Sequence, residues 1–153
     1  MTEIAIASDA DAEAILVLQK LAYQSEAELY GDPTIPPLVQ TLAEMRDDLR
    51  TQIVVKATRG GAIVASARAH ERDGTAFIGR VIVHPAWQRQ GLGKRTMAAI
   101  ETQFPRARRF ELFTGHLSER NLGFYRSLVY REFKTVPVSP ALSFVYLEKP
   151  ASR

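Results

Sequence analysis

The densest run of chemically useful residues is V-I-V-H-P-A-W-Q-R-Q-G-L-G-K, at positions 81–94. An apolar strand stops at Pro85, a polar and basic loop follows, and Gly91 and Gly93 open an amphipathic helix. Glycines at the start of a helix let free backbone N–H groups approach a ligand, and the helix dipole adds partial positive charge there. Because Arg89 and Lys94 add full positive charges, this run predicts a cradle for phosphate groups.

Three kinds of phosphate-binding loop compete for this run. A Walker A loop requires glycine where Gln88 stands and serine or threonine where Arg95 stands, so the run does not match it. A dinucleotide fingerprint requires a third glycine where Thr96 stands, so it does not match either. The third kind, Gln/Arg-x-x-Gly-x-Gly/Ala between a strand and a helix, matches residues 88–93 without a mismatch.

With this loop, residues 75–133 resemble the GNAT superfamily of acyl-CoA-dependent N-acyltransferases. A second stretch, S-E-R-N-L-G-F-Y at residues 118–125, is similar to the family's fourth helix, in which an Asn contacts the cofactor and a Tyr approaches the thioester sulfur. Val129 departs from the family pattern, because it stands where the family has the glycine that ends this helix in the left-handed conformation. Either the helix ends differently here, or Val129 is strained.

The resemblance implies acetyl-CoA as cosubstrate and no metal. The diphosphate would lie on backbone N–H groups of residues 89–94, and the pantetheine arm would pair with the backbone of Val81 and Val83. A backbone N–H near residues 81–82 would stabilise the oxyanion that develops on the acetyl carbonyl. The expected cofactor-binding residues are Val81, Ile82, Val83, Gln88, Arg89, Gln90, Gly91, Leu92, Gly93, Lys94 and Asn121.

The resemblance also gives Tyr125 the role of general acid toward the departing thiolate. With a pKa of ~8.5 for a thiol and ~10 for a phenol, full proton transfer is uphill by about 2 kcal/mol, so we expect Tyr125 mainly to donate a hydrogen bond. The alternative for Tyr125 is a core aromatic beside Leu122 and Leu128.

The expected acceptor is a primary amine, and a primary amine needs a base. With a pKa near ~10.4 it is only about 0.04% neutral at pH 7, a deficit of roughly 4.6 kcal/mol. Candidate catalytic bases are Glu111 on a predicted strand, His116 just after it, and Glu26 or Glu28 in the first loop. Glu111 has the alternative of pairing with an arginine, and His116 that of capping a turn.

The acceptor side of this fold would be covered by Tyr23, Tyr30 and a proline-rich loop at residues 32–37. We expect the acceptor to contact Tyr23, Glu26, Glu28 and Tyr30. The carboxylates of Glu26, Glu28 and Asp32 would attract a cationic amine. A small-molecule amine, an antibiotic, an amino acid and a protein N-terminus or lysine all stay open as acceptors.

Hydrophobic spacing predicts the elements that position these residues. Strands are predicted at residues 3–7, 53–58, 62–71, 75–83, 109–114, 130–135 and 142–148. Helices are predicted from the Ser8 cap to about residue 23 and at residues 38–50, 91–103 and 120–128, with an irregular, proline-rich segment at 24–37. A parallel crossover is required across residues 83–114, so we predict an α+β fold with a mixed sheet and helices on both faces. The resemblance implies that this is a GNAT-like fold, with a central, mostly antiparallel mixed sheet of six to seven strands.

The composition indicates a single globular domain over residues 1–153. Hydrophobic residues make up 46% and charged residues 24%, which argues against disorder. The absence of cysteine excludes a thiol acyl-enzyme and Cys-ligated metal sites. No signal peptide or membrane span is predicted, so we expect a cytoplasmic protein without a membrane partner.

Charge is divided along the chain. Residues 1–74 carry 7 Lys+Arg and 12 Asp+Glu, whereas residues 75–153 carry 13 and 5. The division alone suits a nucleic-acid binder as well as an enzyme with an anionic cofactor. Because no helix–turn–helix or aromatic RNA platform is recognisable, we expect no nucleic-acid partner.

The sequence therefore predicts an N-acetyltransferase that moves an acetyl group from acetyl-CoA to a primary amine, on a small molecule or a protein, by direct attack in a ternary complex. The alternative is a non-catalytic acyl-CoA-binding regulatory module, and the intact loop at residues 88–93 together with Tyr125 favours the enzyme. A longer acyl group and a homodimer stay open.

Overall fold

The structure is a computed structural model that describes residues 1–151, and its centre is a seven-stranded sheet with the strand order β1-β2-β3-β4-β5-β7-β6. The strands are β1 (Thr2–Ile6), β2 (Ile53–Arg59), β3 (Ala62–Arg72), β4 (Thr75–Val83), β5 (Arg109–Gly115), β6 (Arg131–Ser139) and β7 (Leu142–Pro150). The helices are α1 (Ala12–Ala22), α2 (Gln24–Tyr30), α3 (Pro36–Val39), α4 (Leu42–Thr51), α5 (Leu92–Thr102) and α6 (Glu119–Ser127).

The sheet separates at its only parallel pair within residues 1–151, β4 and β5. The pairing begins with Thr75 opposite Arg109 and ends with Phe77 opposite Glu111. Beyond these residues β4 continues to Val83 on one side, and β5 continues on the other, without pairing with each other. An opening therefore lies within the sheet, between the C-terminal ends of two central strands.

A bulge interrupts β4 at Arg80 and Val81. The register against β3 shifts there, so that these two residues stand opposite the single residue Ala67. Before the bulge, Ile78 belongs to the core under α5 and α6, and Val81, the second residue of the bulge, packs against the same core. The bulge thus resets which residues of β4 face each side of the sheet.

Helices cover both faces of the sheet. On one face, α5 and α6 contribute Met97 and Tyr125 to the largest buried cluster. On the other face, α1 and α4 contribute Ile15 and Met45 to a second cluster. The α+β class and the mixed, mostly antiparallel sheet with helices on both faces, which the sequence predicts, are confirmed.

The prediction of an irregular segment at residues 24–37 is wrong. Residues Gln24–Tyr30 form α2, which ends at Gly31 with φ +60°. This short helix buries only Ala27, so its polar composition resembles that of a loop, although glutamate, glutamine and leucine are good helix formers. Pro36 and Pro37 begin α3. Proline is tolerated there because the N–H that it lacks would have no partner at the first positions of a helix.

The single helix predicted at residues 38–50 is two helices. α4 begins with a capping box, in which the Glu44 N–H donates to Thr41 Oγ1 at 3.2 Å and the Thr41 N–H donates to Glu44 Oε1 at 2.8 Å. This box starts a new helix after α3 instead of continuing it. β6 extends to Ser139, beyond its predicted end at residue 135. No helix within residues 1–151 has the length and apolar character needed to cross a membrane.

Candidate active site

The opening between β4 and β5 is a cleft of about 980 Å³. β4, the loop after it and the start of α5 form one wall, β5 and α6 form the other, and α2 and α3 close one end. The residues predicted from the sequence that line it are Tyr23, Glu26, Tyr30, Val81, Ile82, Val83, Gln88, Arg89, Gly91, Leu92, Gly93, Lys94, Glu111, Asn121 and Tyr125. Glu28, Gln90 and His116 are not part of the lining.

The loop before α5 presents backbone amides to the cleft. Arg89 and Gly91 both take left-handed conformations, with φ +64° and +78°. The first bond of the helix runs from the Arg95 N–H to the Gly91 carbonyl at 3.1 Å, so the N–H groups of residues 92–94 have no partner within the helix. Together with the positive end of the helix dipole, these amides suit an anionic ligand.

Two contacts hold this loop and the start of α5 against α6. Gln88 Oε1 accepts a hydrogen bond from Arg120 Nη1 at 2.7 Å. Gly93 allows the close approach of the two helices, because a Cβ at this position would lie 3.0 Å from the Phe124 ring. Arg120 and Phe124 line the cleft and are not among the residues predicted from the sequence.

The β4 wall leaves main-chain polar groups available to a ligand. Beyond Phe77 the strand has no pairing with β5, so the backbone groups that point toward β5 are not used by the sheet there. Val81 and Val83 meanwhile pack their side chains against the buried clusters. Side-chain packing and backbone binding are therefore compatible in this stretch.

Tyr125 lies in the last turn of α6, only 6% exposed, with the Phe124 and Tyr130 rings at centroid distances of 5.3 and 6.1 Å. Burial raises the pKa of its phenol above the usual value, and Tyr23 and Glu26 nearby raise it further. Within residues 1–151 the phenol makes no hydrogen bond, although Tyr125 lines the cleft. It is a protonated donor that a ligand can use.

Two polar contacts link the elements around Tyr125. Asn121 Nδ2 donates to Thr114 Oγ1 at 3.2 Å, which joins α6 to the end of β5. Ser118 Oγ donates to Glu26 Oε2 at 3.0 Å, which joins the start of α6 to α2. The second contact holds the Glu26 carboxylate at the cleft.

The candidate bases differ in the ion pairs and hydrogen bonds that their side chains already make. Glu111 Oε1 accepts from Arg109 Nη2 at 2.9 Å, so its carboxylate is held in an ion pair. His116 Nδ1 accepts from the Ser143 N–H at 2.9 Å, which engages it in the turn after β5. Of these groups and Glu26, only Glu26 lines the cleft without being held by a cation.

Tyr30 covers the end of β5. Its hydroxyl accepts a hydrogen bond from the Leu117 N–H at 3.0 Å. The ring lies so close to Gly115 that a Cβ there would come within 1.9 Å of the hydroxyl oxygen. Tyr30 therefore fastens α2 across the cleft to the segment between β5 and α6.

The carboxylates expected to attract a cationic amine are dispersed. Glu28 is exposed outside the cleft, and Asp32 Oδ1 accepts hydrogen bonds from the Thr34 hydroxyl and N–H at 2.6 and 2.8 Å. These bonds from Thr34 lower the pKa of Asp32. Glu26 alone of the three lines the cleft. Within residues 1–151 no group of three or more histidine, aspartate or glutamate side chains is arranged to hold a metal ion.

Comparison with known protein families identifies the family to which the chain belongs. The model of the GNAT acetyltransferase family matches residues 15–128. The chain belongs to the GNAT acetyltransferase family. The match includes the loop at residues 88–93 and α6, on which the resemblance in the sequence rests, and the prediction of an acetyltransferase is confirmed. No curated protein sequence matches the chain significantly.

Solved GNAT structures share the fold. The ribosomal-protein-S18-alanine N-acetyltransferase from Escherichia coli is 17% identical, with a TM-score of 0.81 over 100% of this chain and 96% of that one. The PaiA N-acetyltransferase from Thermoplasma acidophilum, crystallised with coenzyme A, is 11% identical, with a TM-score of 0.79 over 99% of both chains. The GNAT-like fold predicted from the sequence is confirmed.

The end of α6 shows how the helix closes with Val129 at the position where the GNAT pattern has glycine. Val129 takes φ +74°, the conformation that the family assigns to glycine. Its N–H donates to the Arg126 carbonyl at 3.0 Å, and the Tyr130 N–H donates to the Tyr125 carbonyl at 3.1 Å. This is a Schellman end, so the helix closes as in the family and Val129 carries the strain.

Besides Arg120 and Phe124, the cleft residues of this GNAT protein that sequence reasoning missed include two groups. The first is Arg68 of β3 and Arg80 of β4. A charged residue within the apolar run of β4 is the signal that could have found Arg80. The second is an aromatic group on β5 and β7, whose members are Phe113, Phe144 and Tyr146. The period of two in a strand puts Phe113 on the same side as Glu111, which is the signal for this group.

Proposed function

We propose that the protein is an N-acetyltransferase that transfers the acetyl group of acetyl-CoA to a primary amine by direct attack in a ternary complex. The amine nitrogen bonds to the acetyl carbonyl carbon, and the carbon–sulfur bond of the thioester breaks. A base takes the proton lost by the amine, and CoA leaves as a thiolate that then takes up a proton. The absence of cysteine favours direct attack over a thiol acyl-enzyme.

The observation that carries this proposal is the open end of the sheet directly beside the start of α5. A diphosphate needs several N–H donors in one place, and the loop at residues 88–94 has them at the positive end of a helix. An extended amide-containing arm needs an unpaired strand edge, and β4 offers one beyond Phe77. CoA combines both chemical features in a single molecule, so the cleft fits it.

The groups around the thioester divide the chemistry between them. A backbone N–H at residues 81–82 stabilises the oxyanion, because a preorganised donor there costs no reorganisation during the reaction. Tyr125 donates a hydrogen bond to the thiolate as it forms. Glu26 takes the proton of the amine, directly or through water, since its carboxylate is in the cleft and not in an ion pair.

A thiol-release screen of amine classes with acetyl-CoA tests the proposal. CoA binding is measured in parallel by thermal unfolding, where CoA at ~100 times its Kd adds about 2.7 kcal/mol to the free energy of unfolding. Arg89→Gln removes a charge from the loop and is expected to weaken CoA binding about fivefold. Arg46→Gln is the matched control, because Arg46 is an exposed arginine on α4, outside the cleft, and its loss leaves CoA binding unchanged.

The outcomes separate the proposal from its alternative. Thiol release with an amine, together with CoA protection that Arg89→Gln weakens, supports the enzyme. Protection by CoA without thiol release from any amine identifies a non-catalytic acyl-CoA-binding module. If CoA neither protects the protein nor loses affinity in Arg89→Gln, the assignment of the donor site is wrong.

A further inference from the structure

Arg80 is a charged cleft residue that the proposed chemistry does not use. It stands on the bulge of β4, directly before Val81, with φ +49°. L-residues other than glycine rarely adopt this conformation because it is strained, and bulges re-aim side chains next to active sites. Here Arg80 Nη1 donates to Gln40 Oε1, on the side of the sheet that carries α1 and α4. The bulge therefore holds Arg80 away from the core under α5 and at the acceptor end of the cleft.

Among residues 1–151 Arg80 has no ion pair of its own, although Asp48 is one of its electrostatic neighbours. The neighbouring Arg68 forms an ion pair with Asp48. Arg80 has no carboxylate within 4.0 Å among residues 1–151, and its bond to Gln40 is long, at 3.4 Å. A guanidinium has five N–H donors and stays charged at neutral pH. Arg80 is therefore a half-buried positive charge, most of whose donors have no partner among residues 1–151, and it lines both the cleft and a smaller pocket that it shares with Gln40 and Asp48.

A buried polar network fixes the surroundings of this guanidinium. Gln19 is fully buried, and its Nε2 donates to the same Gln40 Oε1 at 2.8 Å. Gln40 Nε2 in turn donates to Asp48 Oδ2, which also accepts from Arg68. Because Asp48 and Gln40 are already engaged, this network leaves Arg80 without a carboxylate of its own.

Arg80 lies near the position at which the amine is expected to react. Tyr23 has Arg80, Glu26 and Arg68 as its electrostatic neighbours, and Tyr125 has Tyr23 and Glu26. Arg80 and Glu26 therefore lie around Tyr23, at the same end of the cleft. One supplies a positive charge and the other a negative charge, which is the pattern that a zwitterion requires.

We propose that Arg80 binds a carboxylate of the acceptor, and that the acceptor is an amino acid rather than a simple amine or polyamine. This inference rests on the proposed function. The ammonium group of the acceptor faces Glu26, which takes its proton, and the carboxylate accepts hydrogen bonds from the guanidinium. Arginine suits this task because its planar donors match a carboxylate in a bidentate arrangement.

The aromatic group at the cleft indicates which amino acids to try first. Phe113 is 49% exposed, and its ring centroid lies 4.5 Å from Phe144 and 5.3 Å from Tyr146. All three residues line the cleft. Burying an apolar side chain against these rings is favourable, so amino acids with aromatic or aliphatic side chains are expected to be the best acceptors.

Matched pairs of acceptors test the carboxylate without any change to the protein. The pairs are L-phenylalanine with 2-phenylethylamine, L-leucine with 3-methylbutylamine, and L-lysine with cadaverine. Each pair shares a side chain and differs in the carboxylate. We expect kcat/KM by thiol release to be about 10- to 100-fold higher for the amino acid of a pair. Equal or higher kcat/KM for the amines overturns the inference.

Variants of Arg80 then assign the preference to this residue. Arg80→Gln is expected to lower kcat/KM for the amino acid about 10- to 100-fold, through KM, and to leave the decarboxylated amine and the KM of acetyl-CoA unchanged. Arg80→Lys restores part of the loss, because it keeps the charge without the bidentate geometry. Thermal unfolding checks that both variants fold.

Three results count against the inference, and they are distinguishable. Loss of kcat/KM in Arg80→Gln to the same extent for both members of a pair assigns Arg80 a structural role. A rise in the KM of acetyl-CoA alone assigns it to the donor. Failure of every amine and amino acid to release thiol overturns the proposed function together with the inference, whereas turnover without a preference for carboxylates overturns the inference alone.

Discussion

The phenol of Tyr125 has a pKa above its ordinary value because the ring is buried. An acid with a raised pKa stays protonated to higher pH, so Tyr125 is a hydrogen-bond donor throughout the neutral range. Its raised pKa also makes full proton transfer to the thiolate less favourable than it would be from a phenol of ordinary pKa. Hydrogen bonding to the thiolate is therefore the contribution that the proposed reaction needs from Tyr125.

Removing this hydroxyl gives the first prediction. Tyr125→Phe is expected to lower kcat about 10- to 100-fold, since a hydrogen bond to a charged group contributes about 1.5–3 kcal/mol. The KM for acetyl-CoA stays within a factor of about two, because the ring still packs. Steady-state kinetics measures both. Because the pKa is raised, the wild-type pH profile shows no fall from phenol ionisation below pH 10, and an unchanged kcat in Tyr125→Phe contradicts the role.

Glu26 gives a second prediction at the same scale. If it takes the amine proton, Glu26→Gln lowers kcat/KM for the acceptor about 10²–10⁴-fold near neutral pH. The loss shrinks as the pH approaches the pKa of the amine, because more of the amine is then already neutral. Glu13→Gln, on the exposed side of α1, is the control of equal charge change. A loss in Glu26→Gln that is independent of pH assigns Glu26 to holding Ser118 instead.

Val129 gives a prediction on stability. A left-handed β-branched residue carries about 1–2 kcal/mol of strain, and glycine removes it at a smaller cost in backbone entropy. Val129→Gly is therefore expected to raise the free energy of unfolding by about 1 kcal/mol and Tm by about 3 °C. Val138→Gly, at an exposed position on β6 without a positive φ, lowers Tm. Thermal unfolding of the two variants decides the question, and a lower Tm in Val129→Gly refutes the explanation.

At the scale of elements, α2 acts as a strap across the cleft. It is fastened at Tyr30, which lies over Gly115 and accepts from the Leu117 N–H, and at Glu26, which accepts from Ser118. Both contacts join α2, at one end of the cleft, to the segment between β5 and α6. The strap therefore holds this end of the cleft closed.

A double-mutant cycle tests the strap. Gly115→Ala alone is expected to destabilise the protein by about 2 kcal/mol, because the new Cβ displaces the Tyr30 ring. In a Tyr30→Ala background the same change is expected to be close to neutral, since Gly115 has no left-handed φ that requires glycine. Urea unfolding of the four proteins measures the coupling. Additive effects mean that Tyr30 and Gly115 do not act together.

The elements that the sequence predicts well are those with strong periodicity. α5 and the strands β2 to β5 agree with their predicted ends within about two residues, because apolar spacing and glycine turns mark them clearly. α2 escapes prediction, since it is short, polar and stabilised by tertiary contacts at Glu26 and Tyr30. The capping box at Thr41 and Glu44 is a local signal for a helix start, but the apolar spacing of Leu38, Leu42 and Met45 continues across it and favours a single helix.

The candidate site also has one part that the sequence predicts well and one part that it does not. The donor loop at residues 88–93 is a local feature, and one stretch of sequence contains all of it. The acceptor end depends on contacts between residues far apart in the chain, such as Arg80 with Gln40 and Glu26 with Ser118. A bulge such as that at Arg80 depends on the register between two strands, which a single sequence does not reveal.

At the scale of the whole molecule, the uneven distribution of charge along the sequence predicts that the affinity for acetyl-CoA depends on salt. The donor cleft takes its cations Arg89, Lys94 and Arg120 from the basic half of the chain. Raising NaCl from about 50 to 500 mM is expected to raise the KM of acetyl-CoA about three- to tenfold, because salt screens exposed charges. S-acetylpantetheine, which lacks phosphates, is expected to show no such dependence. Equal salt dependence of the two donors in steady-state kinetics contradicts an electrostatic donor site.

The short pairing between β4 and β5 has a consequence for the resistance of the protein to proteolysis. Within residues 1–151, three residue pairs between β4 and β5, from Thr75–Arg109 to Phe77–Glu111, connect the two halves of the sheet by main-chain pairing. A donor arm seated in the gap would act as an extra strand and complete the ladder. Bound donor is therefore expected to hold the two halves of the sheet together and to make the protein more resistant to proteolysis than the ligand-free form.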